Sequence, residues 1–136
     1  MPMTTQIFLN VAVKDLDKSV AFFTELGYGF NAEYTDDDAA CMVIDSNIFV
    51  MLLREAFFRT FTDKQLCDMR THVEALTALS VDSREKVDEL VAKALAAGGS
   101  APRPPIDYGF MYSHAFEDLD GHSWELVHMT GTPSQS

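Results

Sequence analysis

The sequence predicts an α+β fold: two tandem βαβββ modules whose strands form a cup-shaped curved sheet. Three observations predict it. Apolar residues recur with strand period, then helix period, then strand period again, and the whole series occurs twice. Val13-Lys14-Asp15, between the first strand and helix, has its counterpart in Val81-Asp82-Ser83. Asp45-Ser46-Asn47, before the fourth strand, has its counterpart in Asp120-Gly121-His122 before the last. An internal duplication of this kind implies paired structural units. Each module has one helix to cover one sheet face, and the other face needs a partner.

The elements follow in order. Ile7 to Val13 is rich in β-forming residues and reads as a strand. Asp15 caps a helix in which Leu16, Val20 and Phe23 recur at helical spacing, and Gly27 stops it. Phe30 to Tyr34, Ala39 to Ile44 and Ile48 to Leu53 are three more strands. The acidic run Asp36 to Asp38 reads as a solvated turn. Glu55 to Arg70 is an ordered connector with Phe57, Phe58 and Phe61, and Thr62 and Asp63 are candidate caps of a short helix.

The second module opens with a strand over Val73 to Val81. Asp82 caps a helix, with Glu85 as its capping-box partner, and Gly98-Gly99 ends it. Arg103-Pro104-Pro105 is an extended edge segment. Tyr108 to Phe116 and Ser123 to His128 are the last strands, joined by a four-residue turn from Asp118 to Gly121. The tail from Thr130 to Ser136 is polar and loose. The modules span roughly residues 5–54 and 72–130 of one domain, 1–136, with a connector at about 55–71.

Composition narrows the function. With 10 basic and 21 acidic residues the net charge is −11, which disfavours nucleic acid and anionic membranes as partners. No apolar run has the length of a membrane span, and the first residues carry no basic segment or signal core. Cys41 and Cys67 lack metal-type spacing and read as idle thiols of a reducing, cytoplasmic protein. No Ser/His/Asp or Cys/His arrangement and no glycine-rich phosphate loop can be placed.

Two stretches carry a resemblance. VAVKDLDKSVAFFTELGY and FEDLDGHSWELVH resemble the vicinal oxygen chelate superfamily, which includes glyoxalase I, extradiol dioxygenases, fosfomycin-resistance and bleomycin-binding proteins. The likeness runs from about Ile7 to Met129. It implies a small-molecule ligand in the sheet cup and a homodimer. Metal-using members hold a divalent ion on the first, fourth, fifth and eighth strands. Of those positions Glu125 matches the family's glutamate, whereas the others fall on Phe8, Val50 and Leu76. The resemblance therefore implies the fold without its usual metal site, and no cofactor is expected.

Strand alternation supplies the remaining candidates. Phe8, Val50, Leu76, Ser123 and Asn10 are expected to line the cup as ligand-binding residues. The four-residue turn sets His114 opposite Glu125, as neighbours suited to proton transfer, with Tyr112 on the same face to position a ligand. A structural hydrogen bond between the two is the plainer alternative. The expectation is a glyoxalase-like protein binding a small organic ligand, whether or not it turns it over. Two alternatives stand beside it. One is a metal-dependent lyase or dioxygenase using Glu125 and His114, and the other is a drug- or metabolite-sequestering protein.

Overall fold

The computed structural model describes residues 5–130, so the polar tail beyond residue 130 lies outside the described residues. The chain divides into two compact units, Met1–Leu66 and Cys67–Ser136, with the boundary inside the expected connector. Each unit holds one open, four-stranded mixed sheet.

The first unit runs β1 (Ile7–Val13), α1 (Leu16–Glu25), β2 (Gly29–Asn31), β3 (Ala39–Asp45), β4 (Ile48–Arg54) and the short α2 (Glu55–Phe58). Its sheet order is β1-β4-β3-β2, with β1 parallel to β4 and the other pairs antiparallel. Asp15 caps α1 as expected, accepting from the Lys18 amide at 3.1 Å. Gly27, at φ +106°, lets the chain leave the helix. Phe22, Phe23 and Leu26 are all but fully buried, and each such side chain contributes about 1.5–3 kcal/mol of burial.

That burial sets the two faces of the sheet. Leu9, Val11 and Val13 share a side with Val50, Leu52, Met42 and Ala40. Val13, Val50, Leu52, Met42 and Ala40 are at most 1% exposed, and α1 lies against β3 and β4. The other side, with Phe8, Asn10, Phe49 and Met51, stays at least partly open.

The second unit runs β5 (Leu76–Ser80), α3 (Arg84–Ala96), β6 (Ile106–Asp107), β7 (Met111–Glu117) and β8 (Ser123–Met129). Its order is β5-β8-β7-β6, which repeats the topology of the first. Val87, Leu90, Val91 and Ala94 of α3 are buried, as are Phe116, Trp124 and Leu126 on the sheet. The Tyr112 hydroxyl donates to Asp88 on α3 at 2.6 Å, so the side of β7 bearing Tyr112, His114 and Phe116 faces the helix.

Local expectations are corrected in six places. The second strand ends at Asn31, where the Asn31 side chain accepts from Glu33 and starts a 3-10 turn over Ala32–Tyr34. No helix follows Thr62; helical turns come earlier, at Glu55–Phe58 and Arg59–Phe61. Ser83, not Asp82, caps α3, accepting from the Lys86 amide at 3.0 Å. The strand expected over Val73 to Val81 begins only at Leu76, and that over Tyr108 to Phe116 only at Met111. Before it, Gly109 at φ +86° breaks the extended run, and its amide donates to Asp107.

The sixth correction decides the site. The turn between β7 and β8 has five residues, because Glu117 pairs with Ser123. Asp118 explains the extra residue. Its amide donates to the His122 carbonyl, and its carboxylate accepts from the amides of Asp120 and His122, each at 3.0 Å. The Trp124 indole donates to the same carboxylate at 2.9 Å.

Candidate functional site

Each unit has its own candidate surface, the open face of its sheet. A shift of one residue in pairing moves every side chain to the opposite face. The five-residue turn therefore places Ala115 opposite Glu125 and His114 opposite Leu126. His114 and Tyr112 lie on the helix side of the second sheet, not beside Glu125. His114 Nε2 bonds the Arg103 carbonyl at 2.9 Å, and the Arg84 guanidinium stands 5.0 Å from the centre of the Tyr112 ring. Arg84 also forms a two-pronged pair with Asp107 at 2.8 and 2.9 Å, which holds that carboxyl below its usual range. This network ties β6 and β7 to the start of α3. The Asp88 carboxylate, accepting from the Tyr112 phenol, pushes its pKa up.

Val50 is corrected in the same way. It pairs with Leu9 and is 1% exposed on the helix side. Phe8 pairs with Phe49 in the first unit as Leu76 pairs with Ser123 in the second. Asn10 with Met51 then corresponds to Ala78 with Glu125. The counterpart of Glu125 in the first unit is thus Met51. A bulge between Val43 and Asp45 shifts the pairing before β4 and makes the Asp45-Ser46-Asn47 alignment one residue too long.

Five expected residues do stand on open faces. In the first unit, Phe8 is 48% exposed and stacks on Phe49 with centroids 4.9 Å apart and planes 13° from parallel. Asn10 is exposed and donates to the Phe8 carbonyl at 3.0 Å, which leaves its amide oxygen to accept. In the second unit, Leu76 is 69% exposed and pairs with Ser123. Glu125, half-buried on the central strand β8, has Ala78 on one side and Ala115 on the other. It makes no side-chain hydrogen bond or ion pair with a described residue.

The sequence reading missed Phe49, Met51, Ser113, Ala115 and Glu117 on these faces. The signal lay in the two turns, whose lengths decide which residue of each neighbouring strand faces the same way.

A family model described as bleomycin resistance protein-like N-terminal matches residues 5–45. Among solved structures, a hypothetical protein from S. aureus is 28% identical, with 93% of this chain and 95% of that one covered and a TM-score of 0.79. A glyoxalase/bleomycin resistance protein/dioxygenase family enzyme from Burkholderia phytofirmans is 16% identical over 93% and 99%, with a TM-score of 0.76. The chain has the vicinal oxygen chelate fold. The resemblance read from its two motifs is upheld. A fosfomycin resistance protein from Listeria monocytogenes shares this fold at 20% identity over 98% of both chains, with a TM-score of 0.67. Among curated proteins none matches the chain in sequence. Among the described residues no helix is long and apolar enough to cross a membrane.

The vicinal oxygen chelate fold raises the question of a divalent ion, and the residues do not fit one. The positions that correspond by register carry Phe8 or Asn10, Met51, Leu76 or Ala78, and Glu125. A phenyl ring and an alkyl chain donate nothing, and a thioether is a poor partner for a hard ion. Among the described residues no three His, Cys, Asp or Glu side chains are gathered where they would hold a metal.

Proposed function

We propose that the chain binds a small, largely apolar organic molecule on its open sheet faces, as a glyoxalase/bleomycin-resistance-like protein that uses no divalent metal there. The exposed Phe8–Phe49 stack carries this reading. Two near-parallel rings left open to water on a sheet face cost hydration free energy unless a ligand covers them. Polar points are few on that face: Asn10 offers an amide oxygen, and no charged residue stands beside Phe8, Phe49 or Met51. Such a lining, apolar with sparse polar groups, is what small organic ligands select.

Lyase or dioxygenase chemistry of the metal-using kind finds one further carboxylate, Glu117, and no histidine on the face of Glu125, so sequestration is favoured over turnover. The homodimer implied by the resemblance and the cytoplasmic setting read from Cys41 and Cys67 belong to the same proposal. Light scattering at working concentration tests the dimer.

The experiment for the binding reading is an amide-resolved NMR titration with naphthalene methanol, a neutral aromatic probe. The expected result is saturable shifts at Phe8, Asn10, Phe49 and Met51, lost in Phe8→Ala. Shifts confined to other surfaces, or none, would overturn it.

A further inference from the structure

We propose that the open face of the first sheet takes a flat, uncharged aromatic ring as the next member of the stack begun by Phe8 and Phe49, seated above Val43 and beside Gly29. This rests on the ligand-binding reading above and names the shape, charge and place of the ligand.

The stack has a direction. Phe8 and Phe49 are register partners on adjacent strands, and their ring centroids are 4.9 Å apart with planes 13° from parallel. Neighbouring strands lie about 4.7–4.9 Å apart. The step from ring to ring therefore equals the step from strand to strand, so the rings stand up from the sheet and the stack runs across the strands. Phe8 covers one side of the Phe49 ring. The other side looks along the same row toward β3 and β2.

The residues that follow in that row are short. Phe49 pairs with Val43, and Val43 pairs with Gly29. A valine side chain ends below the top of a phenyl ring, and glycine has no side chain. Val43 is only half-buried, and a Cβ added at Gly29 would meet nothing within 4 Å. No ring of a described residue other than Phe8 contacts Phe49. One strand step beyond Phe49 there is thus a low floor with space above it. Beyond Phe8 the sheet supplies no such floor, because β1 is its edge strand.

The charge of the occupant follows from the strands. Asp45 and Arg54 are the charged residues of β1 to β4, and they pair with Ile48 and Val13, which alternate away from the open face. A carboxylate or ammonium seated against Phe49 would lose water and find no opposite charge on these strands. An uncharged aromatic ring loses little on entry and gains the offset parallel contact with Phe49. A saturated ring system of the same size buries similar area without that contact.

The test is amide-resolved NMR on the full chain with naphthalene methanol, decahydronaphthalene methanol and naphthoate as separate probes. Naphthalene methanol is expected to shift Gly29, Val43 and Phe49 saturably, and to bind about fivefold or more tightly than the saturated alcohol or the acid. Val43→Phe supplies the next ring from the chain itself and is expected to weaken naphthalene methanol about tenfold. Phe49→Leu keeps an apolar wall and is expected to bring the flat and the saturated alcohol within about twofold of each other. Unfolding midpoints show that the variants fold, and either folded variant carries the test. Equal wild-type affinity for the two alcohols, or tightest binding by naphthoate, would overturn this inference and leave the broader reading standing. An unchanged affinity in Val43→Phe, or a preference kept in Phe49→Leu, would also overturn it. Absence of all the probes from this face would overturn both.

Discussion

Ala115, not His114, is the residue opposite Glu125. His114 lies on the far side of the same sheet, bonded to the Arg103 carbonyl. The two are separated by the sheet itself, so they cannot share a proton through a ligand on either face.

That separation makes a sharp prediction for variants. His114→Ala removes one side-chain hydrogen bond and is expected to cost about 0.5–1.5 kcal/mol of stability. Affinity for any ligand of the open face is expected to stay within about twofold, a change of under about 0.5 kcal/mol. Glu125→Gln is expected to do the reverse. Paired urea melts and ligand titrations read both; equal loss of affinity in the two variants would contradict the register.

Gly121 is expected to resist replacement. It sits at φ +90°, and a Cβ there would come within 2.9 Å of the Met69 carbonyl carbon and 3.0 Å of the Arg70 nitrogen. Those are backbone atoms, which cannot swing aside. Gly121→Ala is therefore expected to lose about 1–3 kcal/mol in equilibrium unfolding, from backbone strain and close approach together.

Asp118 holds the turn that sets this register, and its titration has a definite sign. Burial raises its pKa above the ordinary 3.8, against the pull of the His122 charge and the three donors it faces. The unfolded chain therefore sheds this proton first. The group's contribution to stability is fully present below 3.8 and is lost as pH rises through the folded value. Asp107 and Glu89 have lowered values and opposite sign, but both are exposed and screened. Asp118→Asn presents an amide N–H to the Trp124 indole N–H, or turns it on the two backbone donors, and is expected to cost about 1–3 kcal/mol near neutral pH. The gap between wild type and variant is expected to narrow as pH rises from about 3.5 to about 7. A widening gap would mean that the carboxylate is the favoured form.

The core offers a control that leaves the open faces untouched. Leu126 is fully buried on the helix side of β8. Leu126→Ala is expected to cost about 2–5 kcal/mol, the range for a buried leucine whose cavity does not collapse. Ligand binding on the open face should survive wherever the variant remains folded, as read by titration below its melting point.

Much of the fold was legible because its signals are local. Asp15, Gly27 and the stripe of Val87, Leu90, Val91 and Ala94 each act within one element, and the duplication tied the two halves together. The candidate site was legible only in part because it depends on pairing. Phe8, Asn10, Leu76, Ser123 and Glu125 were placed by alternation within their own strands. Val50, Tyr112 and His114 required the length of a turn. One turn gains a residue from the Asp118 hydrogen bonds, and the other is offset by the bulge near Asp45. Neither device leaves a pattern in hydrophobicity, since each is made by a short polar side chain or by the backbone.

The central claim is that the strand positions corresponding to a metal site carry only Glu125 as a strong donor, on a face built for an organic ligand. Calorimetric titration of the metal-stripped chain with Ni²⁺, Zn²⁺, Fe²⁺ and Mn²⁺ tests it most directly. The account predicts no stoichiometric binding and no difference between wild type and Glu125→Gln. One ion bound per chain, and lost in Glu125→Gln, would contradict it.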